Sequence, residues 1–211
     1  MVETQTTFDE YKVTSASIQW FDGKEYAPGV PLGCTGKLEL ETELKSVVKK
    51  CEGDEVRHVD IPTQITGTWT GHFPVENLRK VWGLSTDGLK QGVYAYGTSS
   101  RQGRGILTFE VLDLDEQVKM LRAFTNMQFS NGLTWELENG GEEIAEIEQE
   151  FIAMKDDNSK FYYEALESEL EDSELKTSWL TKFTPELALA DPAAEKAEAD
   201  KALADQAKLS D

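Results

Sequence analysis

The sequence predicts a mainly β protein, an antiparallel β-sandwich or barrel with one short flanking α-helix. Up to Met154 the chain divides into segments of alternating apolar and polar residues, separated by turn sequences rich in Gly, Asp and Asn. One segment in this region has clear helical spacing. Strands and helices do not alternate along the chain, which argues against a parallel α/β fold.

Composition predicts a folded domain of ordinary size. The 211 residues are 39% hydrophobic and include five Trp, enough for a substantial core. We predict a β-sandwich domain with terminal arms over residues 1–183, followed by an Ala/acid-rich tail over 184–211 that is helical or disordered. No run of 18 apolar residues is present, and the acidic N-terminus lacks the layout of a signal peptide. Cys34 and Cys51 are predicted to be free thiols in a reducing cytosol.

The formal net charge of −19 is concentrated in one region. Residues 137–175 hold 14 acids and two bases. Such a surface lacks the Lys and Arg that neutralise phosphates, so it is not expected to hold nucleic acid. It suits cations or basic partners, or it simply keeps the protein soluble.

Two strands and a long charged arm are predicted first. A strand over Lys12–Trp20 ends at the turn sequence Phe21-Asp22-Gly23-Lys24. The next strand, Gly36–Leu44, places Leu38, Leu40 and Leu44 on one side and, on the other, Lys37, Glu39, Glu41 and Glu43.

Residues Lys45–Asp60 form either a long hairpin arm or a mobile surface loop. The hairpin interpretation places the tip at Glu52-Gly53-Asp54. Its apolar members are Val47, Val48, Val56 and Val59. Because such an excursion packs poorly on its own core, we expect an ordered arm to be functional or to contact a partner.

A Thr-rich strand leads into the predicted helix. In Thr63–Phe73, the residues Ile65, Trp69 and Phe73 share a face with two glycines, and the other face is polar. Pro74 suits a first helical position and Gly83 a helix stop. The helix between them is predicted to pack against the sheet through Val75, Leu78, Val81 and Trp82.

Four more strands are predicted, at Gly92–Gly97, Gly105–Leu112, Gln117–Phe129 and Leu133–Glu138, with Asn131-Gly132 as a hairpin turn. The segment Glu142–Met154 satisfies both strand and helix spacing, and its antiparallel context favours a strand. Its wet face then carries Glu146, Glu148 and Glu150. The apolar residues scattered over Phe161–Phe183 predict an extended arm or a short helix that needs a surface to lie on.

Chemistry-bearing patterns are sparse. His58 and His72 are the only histidines, and neither lies in a zinc-ligand pattern. Nucleotide-binding, hydrolase and metalloprotease motifs are lacking as well. We therefore predict no catalytic residues, metal or cofactor, and no enzyme activity.

The order of these features resembles the major tail proteins, or tail tube proteins, of long-tailed bacteriophages. The resemblance covers Thr7–Phe183. It is carried by the Glu-rich strand with its charged arm (Gly36–Asp60), by the Thr/Gly/Trp strand running into a short helix (Thr63–Gly83), and by a Glu-bearing last strand with an acidic Phe-Tyr-Tyr-Glu extension (Gly140–Glu164). The Ala-rich tail lies outside the resemblance.

The resemblance implies a virion protein that assembles in the host cytoplasm into stacked, hexameric rings. The partners it implies are other copies of the chain, a tape-measure protein, tail-end proteins and DNA in transit, without a membrane. The acids that would line the lumen are Glu39, Glu41, Glu43, Glu146, Glu148 and Glu150. The arm Lys45–Asp60, with its four valines, would then reach a neighbouring subunit or ring. Two alternatives stay open: a tail ring or terminator component that does not polymerise, and an acidic β-sandwich binding module.

Overall fold

One antiparallel sheet of eight strands dominates the fold. The computed structural model describes residues 7–137, 139–140 and 144–190. The strands are β1 (Glu10–Trp20), β2 (Val30–Pro31), β3 (Cys34–Cys51), β4 (Asp54–His72), β5 (Arg104–Asp113), β6 (Lys119–Phe129), β7 (Ile147–Ala153) and β8 (Tyr163–Leu166). Their order is β2-β1-β5-β6-β7-β4-β3, and β8 pairs with β6 beyond the end of β7. The helices are α1 (Val75–Val81), α2 (Ser173–Ser178) and a 3-10 turn (Pro185–Ala188). The predicted mainly β class is confirmed.

The sheet folds over on itself to enclose the core. Trp69 on β4 and Phe109 on β5 lie three strands apart in the sheet order, yet their ring centroids are 5.9 Å apart. Phe124 on β6 stacks on Phe109 and also contacts Phe151 on β7. All four rings are almost fully buried. Burying large aromatic side chains is the main stabilising contribution available to such a core.

The irregular spacing of apolar residues on β1 has a local cause. Val13 is out of phase with Ala16, Ile18 and Trp20. Ser15 adopts φ 53°, and the pairing with β5 shifts register between Thr14 and Ser17. This β-bulge returns the following apolar side chains to the core face.

The region between residues 45 and 60 is an ordered hairpin. β3 and β4 pair from Cys34↔His72 to Cys51↔Asp54. The two turn residues, Glu52 and Gly53, both have positive φ (54° and 95°), as a type I′ turn requires. The hairpin interpretation of Lys45–Asp60 is therefore confirmed and the loop alternative is wrong.

Helix α1 begins and ends close to its predicted limits. Pro74, predicted at the first helical position, is the N-cap residue with extended backbone (ψ 141°). The helix ends before Gly83, whose φ of 65° and tight contact with the Arg101 backbone leave no room for a side chain. Val81 and Trp82 enter the core, Leu78 packs at its margin, and Val75 is 62% exposed.

The C-terminal region forms a second layer on the outer face of the sheet. Leu175, Trp179 and Phe183 are buried against Ile106 and Leu121, on the side of β5 and β6 away from the main core. The Trp179 indole N–H donates to the Arg122 carbonyl (3.1 Å), and the Gln19 amide donates to that of Phe183 (3.0 Å). The segment Phe161–Phe183 therefore packs on the sheet of its own chain.

Three predicted strands need correction. Residues 92–97 contribute only an isolated bridge, Ser85↔Ala95, within a long loop. Leu133–Glu138 is not a strand over its described residues 133–137, and residue 138 lies outside the described part. Asn131-Gly132 accordingly does not close a hairpin. β7 starts at Ile147, later than predicted, and Glu142 and Glu143 lie outside the described residues, as does the tail from residue 191.

Candidate functional site

The pairing of β7, β4 and β3 brings the two acidic strand faces onto one surface. Thr68 pairs with Glu39 on one side and with Glu150 on the other. Thr70 likewise pairs with Lys37 and Glu148, and Thr66 with Glu41 and Ile152. Paired residues project from the same side of a sheet, so the acids of β3 and β7 flank a row of threonines. We call this surface the acid-threonine face: Lys37, Glu39, Glu41, Glu43, Gln64, Thr66, Thr68, Thr70, Glu148 and Glu150.

The acid-threonine face is concave and open to solvent. Its depression has a volume of about 650 Å³ and is lined by Glu39, Glu41, Glu43, Thr66, Thr68 and Glu150, among others. The carboxylate-bearing residues are all exposed, and the threonines between them are half-buried. The row of β-branched threonines presents hydroxyl groups to water between the two rows of acids.

Electrostatic repulsion on this face is mild. Neighbouring acids along a strand are about 7 Å apart, and Glu39 and Glu150 are separated by two strand spacings, or about 10 Å. In water this corresponds to roughly 0.4–0.6 kcal/mol per pair. Lys37 is the one base of the face as defined here, and its ammonium group is 2.8 Å from the Glu39 carboxylate. A folded subunit therefore tolerates the negative surface at little cost.

The back of the face is held rigid by core packing. Gly67 on β4 lies beneath the Phe151 ring, and a Cβ at this position would come within 2.4 Å of the ring. Trp69 and Gln149, on the same side, are buried. The Gln149 amide donates to the Thr134 hydroxyl (3.0 Å) and the Glu148 carbonyl (2.7 Å). The polar face is thus the outer surface of a close-packed sheet.

Glu146 is separated from the other predicted lumen acids. It precedes β7, and its carboxylate lies against Gly36, where a Cβ would clash with it. Gly36 is the extra residue at the register shift between Thr35 and Lys37. Glu146 therefore lies at the end of the sheet, beside the acid-threonine face and not in its centre.

The hairpin carries its four predicted valines on its surface. Val47 pairs with Val59, and the exposed fractions of Val47, Val48, Val56 and Val59 lie between 37% and 55%. Side chains this exposed on an ordered hairpin contribute little to the fold of their own chain. Val47 and Val59 form a small apolar surface on one face of the hairpin, whereas Val48 pairs with His58 on the other face.

One polar cluster organises the opposite side of the hairpin. His58 Nδ1 is 2.8 Å from the Glu55 carboxylate, and Nε2 is 2.8 Å from that of Asp60. The Ser46 hydroxyl also donates to Asp60 (2.6 Å). Asp60 first, and Glu55 second, raise the pKa of His58 above its ordinary value. This cluster favours the protonated imidazole and ties the two strands together.

The outer edge of β3 is unpaired. Over its 18 residues, β3 pairs only with β4 within the described part of the chain. At the opposite end of the strand order, β2 pairs with β1 at Ser17 and Ile18, and the Leu32 and Ala27 amides donate to the carbonyls of Ala16 and Trp20. An unpaired edge of this length is a template for strand addition by another chain.

No chemical centre stands out among the described residues. They contain no group of three or more His, Cys, Asp or Glu placed to hold a metal ion. Cys34 and Cys51 are exposed free thiols at the two ends of β3, and His72 is exposed at the end of β4. No helix in the described ranges is long and apolar enough to cross a membrane.

Sequence reasoning missed the middle of the acid-threonine face. It identified both acidic strands and the Thr-rich strand but did not place the threonines between the acids. Only the strand order β7-β4-β3 joins them. Sequence offered no direct signal for that order, because β7 is separated from β4 by the whole of α1, β5 and β6.

Neither a protein-family model nor a curated protein sequence matches the chain. Solved structures to which it is similar include the tube-terminating cap of the anti-feeding prophage, at 11% identity and TM-score 0.37, covering 78% of this chain and 99% of that one. The chain is also similar to a chain of the sheath-tube complex of PVC, an extracellular contractile injection system. The identity is 10% and the TM-score 0.40, and the match covers 77% of this chain and 93% of that one. For the sheath/tube terminator of PVC, the identity is 12% and the TM-score 0.36, and the match covers 74% of this chain and 98% of that one.

Proposed function

We propose that this chain is a structural subunit of a phage-type tail tube. Copies of it join into rings, six subunits being the number that the sequence resemblance implies, and the rings stack around a lumen. The observation that carries the proposal is the acid-threonine face: a concave, solvent-exposed strip in which Glu39, Glu41, Glu43, Glu148 and Glu150 flank a row of threonines. It is the surface of this chain that best suits the inner wall of a tube.

The chemistry of this face suits passage of DNA without binding. Proteins hold DNA largely by neutralising phosphates with Lys and Arg, and the single Lys of this face is paired with Glu39. Carboxylates repel phosphates, and the threonine hydroxyls between them keep the surface hydrated. A passing duplex meets no strong contact at any depth.

The free edges of the sheet suit ring closure. The unpaired outer edge of β3 on one copy meets the sparsely covered β2-β1 edge of the next, so that the sheets of neighbouring copies join. This arrangement removes the exposed edge that would otherwise lead to uncontrolled aggregation. The hairpin at residues 45–60 extends beyond the sheet and contacts a neighbouring copy through its exposed valines.

The partners follow from this role. In the assembled tail, the lumen holds a tape-measure protein before DNA passes, and the ends of the tube contact other tail proteins. The acids act by their charge and not as catalysts. The protein is then a virion component that assembles in the host cytoplasm, with no membrane stage.

Concentrating the purified protein and imaging it by negative-stain electron microscopy tests the proposal. Long tubes with a central channel support it. Single rings that do not stack support a terminator component in its place. Monomers at every concentration contradict self-assembly and leave the acidic binding module.

A further inference from the structure

A recess lined by glutamines lies beside the acid-threonine face. It has a volume of about 300 Å³, and we call it the glutamine recess: Gln64, Gln102, Gln128, Phe129, Ile152 and Met154. It shares Gln64, Ser130 and Ile152 with the depression of the acid-threonine face, so the two form one continuous concavity. The described residues that line the recess carry no formal charge. Apolar surface with a few uncharged polar groups is typical of a ligand-binding pocket.

The three glutamine side chains of the recess have unused hydrogen-bonding groups. Each of these residues is half-buried, and its side-chain amide forms no hydrogen bond within the described part of the chain. A glutamine amide offers an acceptor oxygen and two donor hydrogens. Polar groups that are partly removed from water gain from a partner with complementary groups. The recess therefore suits a ligand that both donates and accepts hydrogen bonds.

Strand pairing sets the spacing of two of these glutamines. Gln128 on β6 pairs with Ile152 on β7, and Ile152 pairs with Thr66 on β4. Gln64 lies two residues before Thr66, on the same face of β4. The Cα atoms of Gln64 and Gln128 are therefore separated by two strand spacings and two residues, or about 12 Å. An extended peptide spans this distance with about three to four residues.

The floor of the recess is apolar. Phe129 is buried, Ile152 is half-buried, and Met154 is 38% exposed. The unbranched methionine side chain adapts to the shape of the group that it contacts. This floor can take one apolar side chain of an extended peptide. Side chains two residues before and after it then point toward the same surface of the protein.

Unpaired acids border the recess. Glu43 on β3 pairs directly with Gln64, and the Glu150 carbonyl accepts a hydrogen bond from the Ser130 amide (2.9 Å). Glu43 and Glu150 are exposed, and neither forms an ion pair with a described residue. Their carboxylates favour a ligand that carries cations on either side of its apolar group.

One cation lies on the neighbouring strand at the other side of the recess. Arg104 on β5 pairs with Gln128. Its guanidinium lies over the Phe21 ring, 4.9 Å from the ring centroid, and Arg104 lines a separate depression together with Tyr26 and Glu186. Arg104 is thus engaged away from the recess, and the acids on β3 and β7 determine the charge that a ligand meets.

We propose that the glutamine recess binds an extended, basic segment of polypeptide. The segment places one apolar side chain on the floor, and its backbone bonds to the glutamine amides. Its Lys or Arg residues, two positions before and after the apolar residue, point toward Glu43 and Glu150. A peptide backbone carries a donor and an acceptor at each residue, which matches the side-chain amides. The site belongs to a single subunit, so this inference goes beyond the proposed function and does not require assembly.

Peptide titration tests the site. The probe is the blocked pentapeptide Lys-Ala-Leu-Ala-Lys. One matched peptide replaces both Lys by Glu, and another keeps the sequence but carries methyl groups on the backbone nitrogens of both Ala. Binding to the full chain is measured by calorimetry at a concentration at which the protein is monomeric. NMR of methyl-labelled methionine follows the Met154 signal, which is assigned with the variant Met154→Leu.

The Lys peptide should bind and shift the Met154 signal, and added salt should weaken its binding. The Glu peptide and the N-methylated peptide should each bind roughly tenfold or more weakly, because one loses charge attraction and the other loses backbone donors. The N-methylated peptide tests the hydrogen bonds on the unaltered protein, whatever the stability of any variant.

A variant with Gln64→Met and Gln128→Met keeps the length of both side chains but removes their hydrogen bonds. It should bind the Lys peptide roughly tenfold more weakly than the wild type. The matched control carries Gln91→Met and Gln117→Met, at exposed glutamines outside the recess. This control should bind as the wild type does.

The outcomes separate this inference from the proposed function. Equal binding of the Lys and Glu peptides, no loss on N-methylation, unchanged binding by the Gln64 and Gln128 variant, or no binding at all would overturn it. Electron microscopy of the same protein at high concentration tests the tube separately. Tubes without peptide binding contradict the recess alone. Peptide binding by a protein that stays monomeric at every concentration supports the recess and contradicts the tube.

Discussion

Removing the hairpin should abolish assembly without unfolding the subunit. The change replaces residues 47–59 with the dipeptide Asn-Gly, so that the Ser46↔Asp60 pair and its 2.6 Å hydrogen bond close the shortened β3-β4 connection. The four valines of the hairpin are about half exposed, so burial stabilises each by about 1 kcal/mol at most. Ordering each hairpin residue costs about 1–2 kcal/mol of backbone entropy, which offsets that gain.

The expected change in the free energy of unfolding is therefore within about 1 kcal/mol, as an isolated two-stranded ribbon is marginally stable. Urea unfolding followed by tryptophan fluorescence measures it, because all five Trp lie outside the hairpin. Trp69→Ala is the contrasting control: its buried ring should cost about 3–5 kcal/mol. A shortened protein that loses more than about 3 kcal/mol, or that still forms normal tubes, would refute this reasoning.

Three further predictions concern the acid-threonine face, the histidine cluster and the C-terminal layer. Changing Glu39, Glu41 and Glu150 together to Lys should slow DNA ejection from assembled particles and give tubes a salt-dependent affinity for duplex DNA; ejection at the wild-type rate would contradict a role for these acids. The pKa of His58 is higher in the folded state than in the unfolded state. Its contacts with Asp60 and Glu55 therefore stabilise the hairpin fully at pH values below the unfolded-state pKa. This stabilisation is lost as the pH rises through the folded-state pKa. Hydrogen exchange of the hairpin amides should therefore accelerate across that pH range, and a pH-independent rate, or the same acceleration in His58→Gln, would count against the cluster. Trp179→Ala should destabilise the subunit by about 3–5 kcal/mol in urea unfolding, against less than about 0.5 kcal/mol for the exposed Leu189→Ala, because Trp179 is buried on its own sheet.

Local sequence signals were sufficient where each strand has one packed face or a clear turn. The Thr/Gly/Trp alternation of β4 identified the central strand without tertiary information. Glu52-Gly53-Asp54 located the tip of the hairpin, but the sequence left a mobile loop open as the alternative for Lys45–Asp60. β5 and β6 were also identified, although β5 is buried on both faces. Its two-sided burial has a cause that the sequence did not reveal, namely the second layer formed by Leu175, Trp179 and Phe183.

The errors have a common physical origin in exposed, alternating loop residues. Tyr94 and Tyr96 alternate as strand residues do, but they are partly exposed and the Tyr94 ring packs on the Arg79 guanidinium (3.8 Å). The Trp135 ring packs against the Trp82 ring, although Trp135 does not belong to a strand of the sheet. In the C-terminal region, the spacing of Leu175, Trp179 and Phe183 at four-residue intervals was a usable signal for one common packed face.

The candidate face shows the same division between local and long-range information. Alternation located Glu39, Glu41, Glu43, Glu148 and Glu150 on exposed strand faces. Their union across Thr66, Thr68 and Thr70 depends on the pairing of β4 with both β3 and β7. Pairing between strands distant in sequence is decided by core packing, here by the meeting of Trp69, Phe109, Phe124 and Phe151, and not by local periodicity.

A cryo-electron microscopy map of the assembled protein would show directly which surface of the subunit lines the channel. We expect a closed ring in cross-section, with the β7-β4-β3 surface facing the channel and the side chains of Glu41 and Glu150 at its inner wall. The same map would show whether the β3 edge joins the β2-β1 edge of the next copy. A map with the acid-threonine face on the outside of the particle, or buried between subunits, would contradict the account.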